Sequence, residues 1–499
     1  MKQLINNKCF FVILSTIAAI TFVPIISSCF HKTPSKLSYS NSPTSRQLAW
    51  HKLETTAFVH FGINTFESNQ WGWGNENPED FNPANLDADQ WVKTFKDAGF
   101  SQVVLTCKHH DGFCLWPSAY TDHSVASSSH YKNGHGDVVR DVSDACNKYG
   151  LKFGIYLSPW DRSRADFTTS HYIDYYCNQL TELLTNYGKI SEVWFDCDAW
   201  NRAPNGGYYG GAGGVDPQNP QDTRSWDYVS YYQWNRIFNL IRKLQPDAVM
   251  SQGLDIRTCG NELGYMGDDN WNTFDCTYPL ANKWTDKTSN RACWLKWNTG
   301  DINGHYWLPA ECDASITKNK WFWQASQQLK TADYLFQMYL HSVGRGAGLI
   351  LNVPPNQDGL IPTDEVNLLK DYKRKINQAF GNRLGQNTNS TELDLDTNKT
   401  LNYIVLQENI ANGQKIKSFQ VQAWQNNRWE NIDFLDGHWD SSKGYSSSDN
   451  DWQTKEMQTF TTIGYKRILK INTAINTNKI RVQILDSKNN PQISNIEVY

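Results

Sequence analysis

The sequence predicts a (β/α)8 barrel followed by a smaller C-terminal β-sandwich, and three observations carry that expectation. From about Leu48 to Phe380, short apolar runs alternate with amphipathic stretches at helical spacing. The βα order recurs often enough to imply parallel strands wound into a barrel. From "NRLGQNTNSTELDLD" onward the helical spacing gives way to strand-like alternation between turn-rich stretches. At 499 residues the chain exceeds one typical domain. The expected units are a barrel over 48–384 and a sandwich over 385–499. A doubly wound open sheet is the alternative, but neither GxGxxG nor a P-loop follows the first strand.

The N-terminus comes first in the chain. Lys2 and Lys8 precede the apolar run "CFFVILSTIAAITFVPIISS", which stops at Cys29 and a polar "KTPSKLSYSNSPTS" stretch. That layout is an export signal. The run has the length of a membrane span, but Pro24 and the small residues Ser27 and Ser28 favour processing. "ISSC" resembles a bacterial lipoprotein box. It implies a signal peptide over 1–28, lipid on Cys29, a tether over 29–47 and a lipid-anchored place in the cell envelope, periplasmic or at the outer-membrane surface. Of 11 Cys, Cys9 leaves with the signal and Cys29 takes the lipid; nine remain, without a CxxC pair. Neither a disulfide framework nor a zinc site is indicated.

In the barrel region "TTAFVHFGIN" reads as the first strand and "DADQWVKTFKDAG" as the first helix. Trp91, Phe95 and Ala98 share one helical face, and Gly99 stands where helices stop. The alternation continues through "SQVVLTCKHHDGF", "DVVRDVSDACNKYG", "LKFGIYLSPWD", a Tyr- and Leu-rich helix to about Tyr187, and "EVWFDCD". Later come "WNRIFNLIRKLQPDAVMSQG", the helix-like "QLKTADYLFQMYLHSVG", "GLILNVPP" and "TDEVNLLKDYKRKI". In the last part "KIKSFQVQAW", "RILKINTA" and "NKIRVQILDS" read as sandwich strands, which either pack on the barrel or bind carbohydrate.

Composition narrows the function. Hydrophobic content of 39% and charged content of 20% are those of a globular protein. A net charge of -4 gives no electrostatic reason for a nucleic-acid partner. Aromatic content is 13%, with 21 Trp. Most fill the core, and an excess over core needs suits sugar binding, where flat rings stack on C–H faces.

In a (β/α)8 barrel the chemistry sits where strands end. Those ends hold His60, His109 and His110, Tyr156 and Trp160, and Asp196. Singly each has a bland explanation: His60 fits a core histidine, and Asp111 or Asp161 a helix cap. Together they make four successive strand ends able to bond or stack on a hydroxylated ligand. Adjacent side chains in a strand face opposite ways, so His109 and His110 are not expected to share a metal ion. Ser/His/Asp hydrolysis is disfavoured, as no G-x-S-x-G elbow occurs. Two carboxylates remain as the engine of glycoside hydrolysis, about 5–5.5 Å apart in retaining enzymes. Asp196 is the candidate nucleophile. Asp198 is its neighbour on the same face if the strand continues, and the partner carboxylate belongs on a later loop.

"FVHFGINTFESNQWGWGNENPEDFNP", "VVLTCKHHDGFCLWPSAYTDHSV", "GIYLSPWD" and "VWFDCD" resemble the α-L-fucosidases of glycoside hydrolase family 29. The resemblance continues through "LDIRTCGNELGY", "YWLPAECDASI" and "SVGRGAGLILNVPPNQDGLI". "NGGYYGGAGG" and "CGNELGY" are similar to the subfamily acting on α-1,3/1,4-linked fucose in branched, Lewis-type glycans. The resemblance implies Asp196 as nucleophile and Glu262 as acid/base, with Glu311 as the rival for the second role. It implies a fucose pocket lined by His60, Gln70, Trp71, His109, His110, Tyr156 and Trp194, with Arg257 near the acid/base, and it implies neither cofactor nor metal. Two positions depart from the pattern: Cys197 stands where the family has Gly, and Gln70 where many relatives have Glu.

The leading expectation is therefore a retaining exo-α-L-fucosidase, lipid-anchored and acting on fucosylated oligosaccharides or glycoconjugates. A broad-specificity α-L-fucosidase and a non-catalytic fucose-binding lipoprotein stay open beside it.

Overall fold

The computed structural model describes residues 40–196, 231–251, 255–259, 261–275, 296–318, 320–439 and 452–499. The export signal, Cys29, Cys197, Asp198 and the "NGGYYGGAGG" loop lie outside the described residues. Among the described residues no helix is long and apolar enough to cross a membrane.

Eight parallel strands form the barrel sheet. They are β1 Thr55–Val59, β2 Gln102–Lys108, β3 Lys152–Leu157, β4 Ile190–Trp194, β5 Val249–Met250, β6 Arg257–Thr258, β7 Ala310–Ser315 and β8 Gly348–Asn352. The sheet runs β5-β4-β3-β2-β1-β8-β7-β6, so the pairing of β1 with β8 curls it round. Every residue of β1, β2 and β7 is buried, as expected where helices cover the outer face and side chains fill the inner one.

Before the barrel, α1 Ser45–His51 docks through Gln47, whose amide donates to the carbonyls of Asp255 and Trp307 at 2.7 Å each. Helices α2 Ala88–Ala98, α3 Val138–Tyr149, α4 Ser170–Asn186 and α5 Trp234–Leu244 follow β1 to β4. Helices α6 Ala332–His341 and α7 Thr363–Phe380 follow β7 and β8. The local signals act as predicted: the Asp87 carboxylate accepts from Gln90 N at 2.9 Å to cap α2, and Gly99, at φ +91°, closes it. Trp91, Phe95 and Ala98 are buried on one face.

The C-terminal part is an antiparallel sheet assembly built on two long strands, Glu392–Glu408 and Arg467–Ser487. Register shifts between Asp394 and Lys399 and between Leu401 and Tyr403 bend the ladder. Its own core includes Leu401, Phe419, Phe434 and Ile480. The assembly packs on the barrel through polar contacts. Asp436 accepts from Arg345 at 2.9 Å, Arg467 donates to the Asp268 carbonyl at 2.8 Å, and Gln414 Oε1 accepts from Asn272 N at 2.9 Å.

A cavity of about 750 Å3 opens among Arg46, Arg140, Lys152, Lys189 and Asp247. Lys152 begins β3 and Lys189 directly precedes β4, so this cavity lies at the amino-terminal end of the barrel, opposite the face where such barrels do chemistry.

Candidate active site

Strand alternation delivers side chains to the carboxyl end of the barrel. On β1, Phe58 points into the core and His60, two residues on, packs against it with ring centroids 4.5 Å apart. On β4, Trp194 joins the same core cluster and Phe195 turns outward against Trp234 and Phe238 of α5. Asp196 then faces inward again. Tyr156 of β3 stacks on Trp194 at 5.5 Å and 16°, and donates its phenolic hydrogen to Asp196 Oδ2 at 2.8 Å. The Asp196 side chain keeps 18% of its surface exposed, so a ligand can reach it.

Three histidines surround this carboxylate, and the hydrogen-bond network assigns two of their tautomers. Ser158 Oγ donates to the Trp160 carbonyl at 2.6 Å, so it accepts from His110 Nδ1–H at 2.7 Å. The lone pair of neutral His110 is then on Nε2, 3.6 Å from Asp196 Oδ2. Asn352 Oδ1 accepts from both His60 N at 3.2 Å and His60 Nδ1–H at 2.8 Å, while its amide nitrogen donates to Ser315 Oγ and the Trp321 carbonyl. Burial holds all three rings neutral: His60 and His110 are each pushed down to about 4, and His109 lies well below the ordinary value. Neutral rings with fixed tautomers suit hydroxyl groups, which both donate and accept. His109 lies parallel to Tyr156 at 5.6 Å, and Trp71 meets His110 edge-on at 4.9 Å and Trp160 at 5.5 Å.

The second carboxylate comes from the loop after β6. Glu262 has φ +52°, a left-handed conformation that a non-glycine residue holds only when its surroundings enforce it. Asn261 does the enforcing. Its Oδ1 accepts from Leu263 N at 2.9 Å, and its Nδ2 donates to the Tyr265 carbonyl at 2.8 Å and Asn298 Oδ1 at 2.9 Å. Although Glu262 retains exposed surface, protein crowds its carboxyl. That desolvation, and then the negative charge of Asp196, raise it above the usual carboxylate range, while a hydrogen bond from Trp321 pulls the other way. Two carboxylates from separate loops therefore feel one another across an open site ringed by neutral histidines and aromatic faces.

The α-L-fucosidase family profile matches residues 37–377. The chain belongs to the α-L-fucosidases of glycoside hydrolase family 29. Its similarity to "Alpha-L-fucosidase 1" of Arabidopsis thaliana is 34% identity, covering 92% of this chain and 87% of the relative. A crystal structure of a putative α-L-fucosidase from Bacteroides ovatus superposes with a TM-score of 0.76 at 37% identity, covering 92% of this chain and 74% of that one. A Ruminococcus gnavus family 29 fucosidase solved in complex with fucose gives a TM-score of 0.71 at 27% identity, covering 93% and 95%. The barrel with its C-terminal sandwich is thus the fold of this family, and the chain is a glycoside hydrolase of α-L-fucosidase type.

The fucosidase brings His60, Trp71, His109, His110, Tyr156, Trp194 and Asp196 together at one end of the barrel; one sequence expectation needs correction, and Gln70 and Arg257 make contacts that the sequence did not show. His109 and His110 do not diverge. β2 ends at Lys108, so strand alternation no longer applies, and the two ring centroids are 4.2 Å apart. Ligand atoms of His109, His110 and Asp196 all lie within 4.8 Å of one another, a donor set of the kind zinc-class ions accept. Gln70, expected in the fucose pocket, grips a loop. Its Oε1 accepts from Trp321 N at 2.6 Å and Phe322 N at 3.1 Å, and its Nε2 donates to the Phe322 carbonyl at 3.0 Å. Arg257, expected beside the acid/base, is a buried clamp. It donates to the carbonyls of Trp297, at 3.0 Å, and Leu308, and to Asn270 Oδ1 at 3.0 Å.

Glu311, the rival acid/base, lies in the barrel interior, where it accepts from Trp194 Nε1 at 3.0 Å and hydrogen-bonds Glu192. Burial raises it strongly, with the Glu192 charge adding to the effect, and it sits beneath Trp194 rather than on the open face. Sequence reasoning missed Asp313, two residues further along β7. It is buried, and its carboxyl is raised first by desolvation and then by the charges of Glu262 and Asp196. The signal was available, since Glu311 and Asp313 share a face at period two. It also missed Asn352, at the carboxyl end of β8, where the strand-end rule applies. Trp321, in an irregular loop, had no signal.

Proposed function

We propose that the fucosidase is a retaining exo-enzyme that removes α-1,3/1,4-linked L-fucose from branched, Lewis-type oligosaccharides and glycoconjugates, with no cofactor. Asp196 attacks the anomeric carbon while Glu262 protonates the departing glycosidic oxygen, leaving a fucosyl ester on Asp196. Glu262, now ionised, takes a proton from water. The water oxygen attacks the same carbon, and the Asp196 carboxylate leaves. The observation that carries this is the pairing of a reachable Asp196, held by Tyr156, with a Glu262 whose environment favours its protonated form. His60, His109 and His110 bind the fucose hydroxyls, and Trp71 and Tyr156 border the sugar. The linkage preference rests on likeness of the "CGNELGY" segment to the α-1,3/1,4 subfamily. Placement in the cell envelope through lipid on Cys29 rests on the "ISSC" box.

The purified protein is incubated with a Lewis-type trisaccharide and, separately, an aryl fucoside. Free fucose and the anomer first formed are followed by NMR. Release of the α-anomer from the trisaccharide, abolished in Asp196→Ala, supports the proposal. A β-anomer first product overturns retention. Preference for the aryl fucoside overturns the linkage assignment, and binding of fucose without release overturns turnover itself. A Cys29→Ser variant that stays with the membrane fraction overturns the lipid anchor.

A further inference from the structure

Asn352 ends β8 between two neighbours, paired with Phe58 of β1 and with Ser315 of β7. Its side chain is fully buried and makes all four hydrogen bonds open to an amide. Oδ1 accepts from His60 N at 3.2 Å and lies 2.8 Å from His60 Nδ1. Nδ2 donates to the Trp321 carbonyl at 2.8 Å and to Ser315 Oγ at 3.1 Å. Two of these partners cannot exchange roles, because a backbone N–H only donates and a backbone carbonyl only accepts. They fix which end of the amide is oxygen, and that oxygen only accepts, so the proton of the neutral His60 ring is on Nδ1. The hydroxyls beyond agree. Thr317 Oγ1 gives its hydrogen to the Lys320 carbonyl at 2.5 Å, Ser315 Oγ gives its own to Thr317 Oγ1 at 3.0 Å, and Ser315 is left to accept from Asn352. Every bond from the Lys320 carbonyl back to the Asn352 amide points one way.

We propose that Asn352 is the positioning residue of His60: it holds the ring proton on Nδ1, so that the ring offers the fucose a lone pair on Nε2 and selects a hydroxyl that donates. This rests on the reading of His60 as a fucose contact. The free side chain favours the opposite form, with the proton on Nε2, and the amide at Nδ1 reverses that preference. His110, bonded through Nδ1 to Ser158 Oγ, also keeps its lone pair on Nε2, 3.6 Å from Asp196 Oδ2. The His60 ring lies 5.7 Å from that of His109 and 6.0 Å from that of Tyr156, which holds Asp196. The wall thus presents acceptors beside the carboxylate, and the sugar must bring the hydrogens. An amide suits this place better than a carboxylate. Asp would accept from His60 but repel the Trp321 carbonyl and leave Ser315 Oγ without its donor.

The test labels histidine with 15N and reads the tautomer of His60 by NMR near neutral pH, its signals identified by their loss in His60→Gln. Wild type should show a protonated Nδ1 and a bare Nε2. Asn352→Leu should move the ring to the Nε2–H form and weaken L-fucose binding roughly tenfold, with KM rising by a similar factor and kcat changed less. Asn352→Asp keeps the acceptor for Nδ1–H, so it should retain the wild-type tautomer and recover much of the affinity. If Asn352→Leu does not fold, wild type and Asn352→Asp decide. Of L-fucose analogues carrying fluorine at C2, C3 or C4, at least one should bind wild type about tenfold more weakly, and Asn352→Leu with a smaller penalty, since fluorine cannot donate. A wild-type ring protonated on Nε2 overturns the proposal, and so does an Asn352→Leu ring that keeps its proton on Nδ1. Equal fluorine penalties in both proteins at every position overturn the selection of a donating hydroxyl. A flipped tautomer with unchanged L-fucose affinity overturns the sugar-facing role of His60 and leaves hydrolysis standing. An Nδ1–H ring in a protein that binds L-fucose but releases none from a fucoside overturns the catalytic reading and leaves the positioning by Asn352 standing.

Discussion

The phenol of Tyr156, at the carboxyl end of β3, donates to Asp196 Oδ2 at 2.8 Å, just beyond the end of β4. The two strands pair in register, Tyr156 opposite Trp194, so the contact follows from the ladder: the residue two beyond Trp194 returns to the face that Tyr156 occupies. The proposed role of Asp196 as nucleophile draws on this contact. The carboxylate has to be oriented before the sugar arrives, and a buried donor on a rigid strand does so without reorganisation during the reaction.

Removing that donor should slow the chemistry more than it weakens binding. A hydrogen bond to a charged group contributes about 1.5–3 kcal/mol, so Tyr156→Phe should lower kcat by roughly ten- to a hundredfold. Steady-state kinetics on an aryl fucoside measure it. A change confined to KM would place Tyr156 on the sugar and not on the nucleophile.

The two carboxylates should separate by leaving group. Asp196→Ala should cost at least about a thousandfold on every substrate, because in the proposed mechanism Asp196 forms the ester. Glu262→Gln should cost about a hundredfold or more on a glycan, whose departing oxygen needs a proton, and much less on an aryl fucoside with an acidic phenol. Equal losses on both substrates would remove Glu262 from the acid role.

What was legible in the sequence, and what was not, follows a physical division. Helix α2 could be read because its signals are local: Asp87 caps it, Gly99 ends it, and its buried face recurs at helical spacing. His60, Tyr156 and Asp196 could be read because strand ends in a barrel face one place. The hydrogen-bond partners of Arg257 and Gln70 could not. Whether a polar side chain aims at a ligand or at a carbonyl 51 residues away, as Arg257 does at Leu308, depends on where irregular loops run. Trp321 lay hidden for the same reason: its position is set by an amide 251 residues earlier in the chain. The role of the sandwich was equally illegible. Gln414, Thr462 and Arg467 bond the segment from Asp268 to Asn272, which follows the Glu262 loop.

Arg257 should behave as a structural residue. Arg257→Met leaves two buried carbonyls and Asn270 Oδ1 without their donor. Each buried acceptor left unsatisfied costs about 1–3 kcal/mol. Chemical denaturation should show the loss, while KM of the protein that remains folded should stay within about twofold. A tenfold rise in KM with unchanged stability would return Arg257 to the substrate.

At the seam between barrel and sandwich, His341 should make stability fall in mild acid. Its Nδ1–H donates to the Gln337 carbonyl at 2.7 Å and its Nε2 accepts from Gly437 N at 3.1 Å, so the ring is neutral. Burial, and then the charge of Arg345, push it down to about 3, although Asp436 at 3.8 Å pulls upward. In the unfolded chain a histidine titrates near 6.5, so between that pH and about 3 the unfolded state binds one proton more than the folded state. The contribution of His341 is therefore fully present above about pH 6.5 and is lost as pH falls, by about 1.4 kcal/mol per pH unit. Asp436 itself is depressed, because Arg345 and Arg467 outweigh the raising effect of its burial, so its contribution is lost only at lower pH, below the usual carboxylate range. Buried carboxyls raised to about 7, such as Glu408, act with the opposite sign. The difference between wild type and a His341→Gln variant isolates the histidine, since an amide can replace both hydrogen bonds without titrating. Denaturant midpoints from pH 7.5 to pH 4.5 should converge as pH falls, with wild type losing the more. Parallel curves would mean that His341 is already charged in the folded protein.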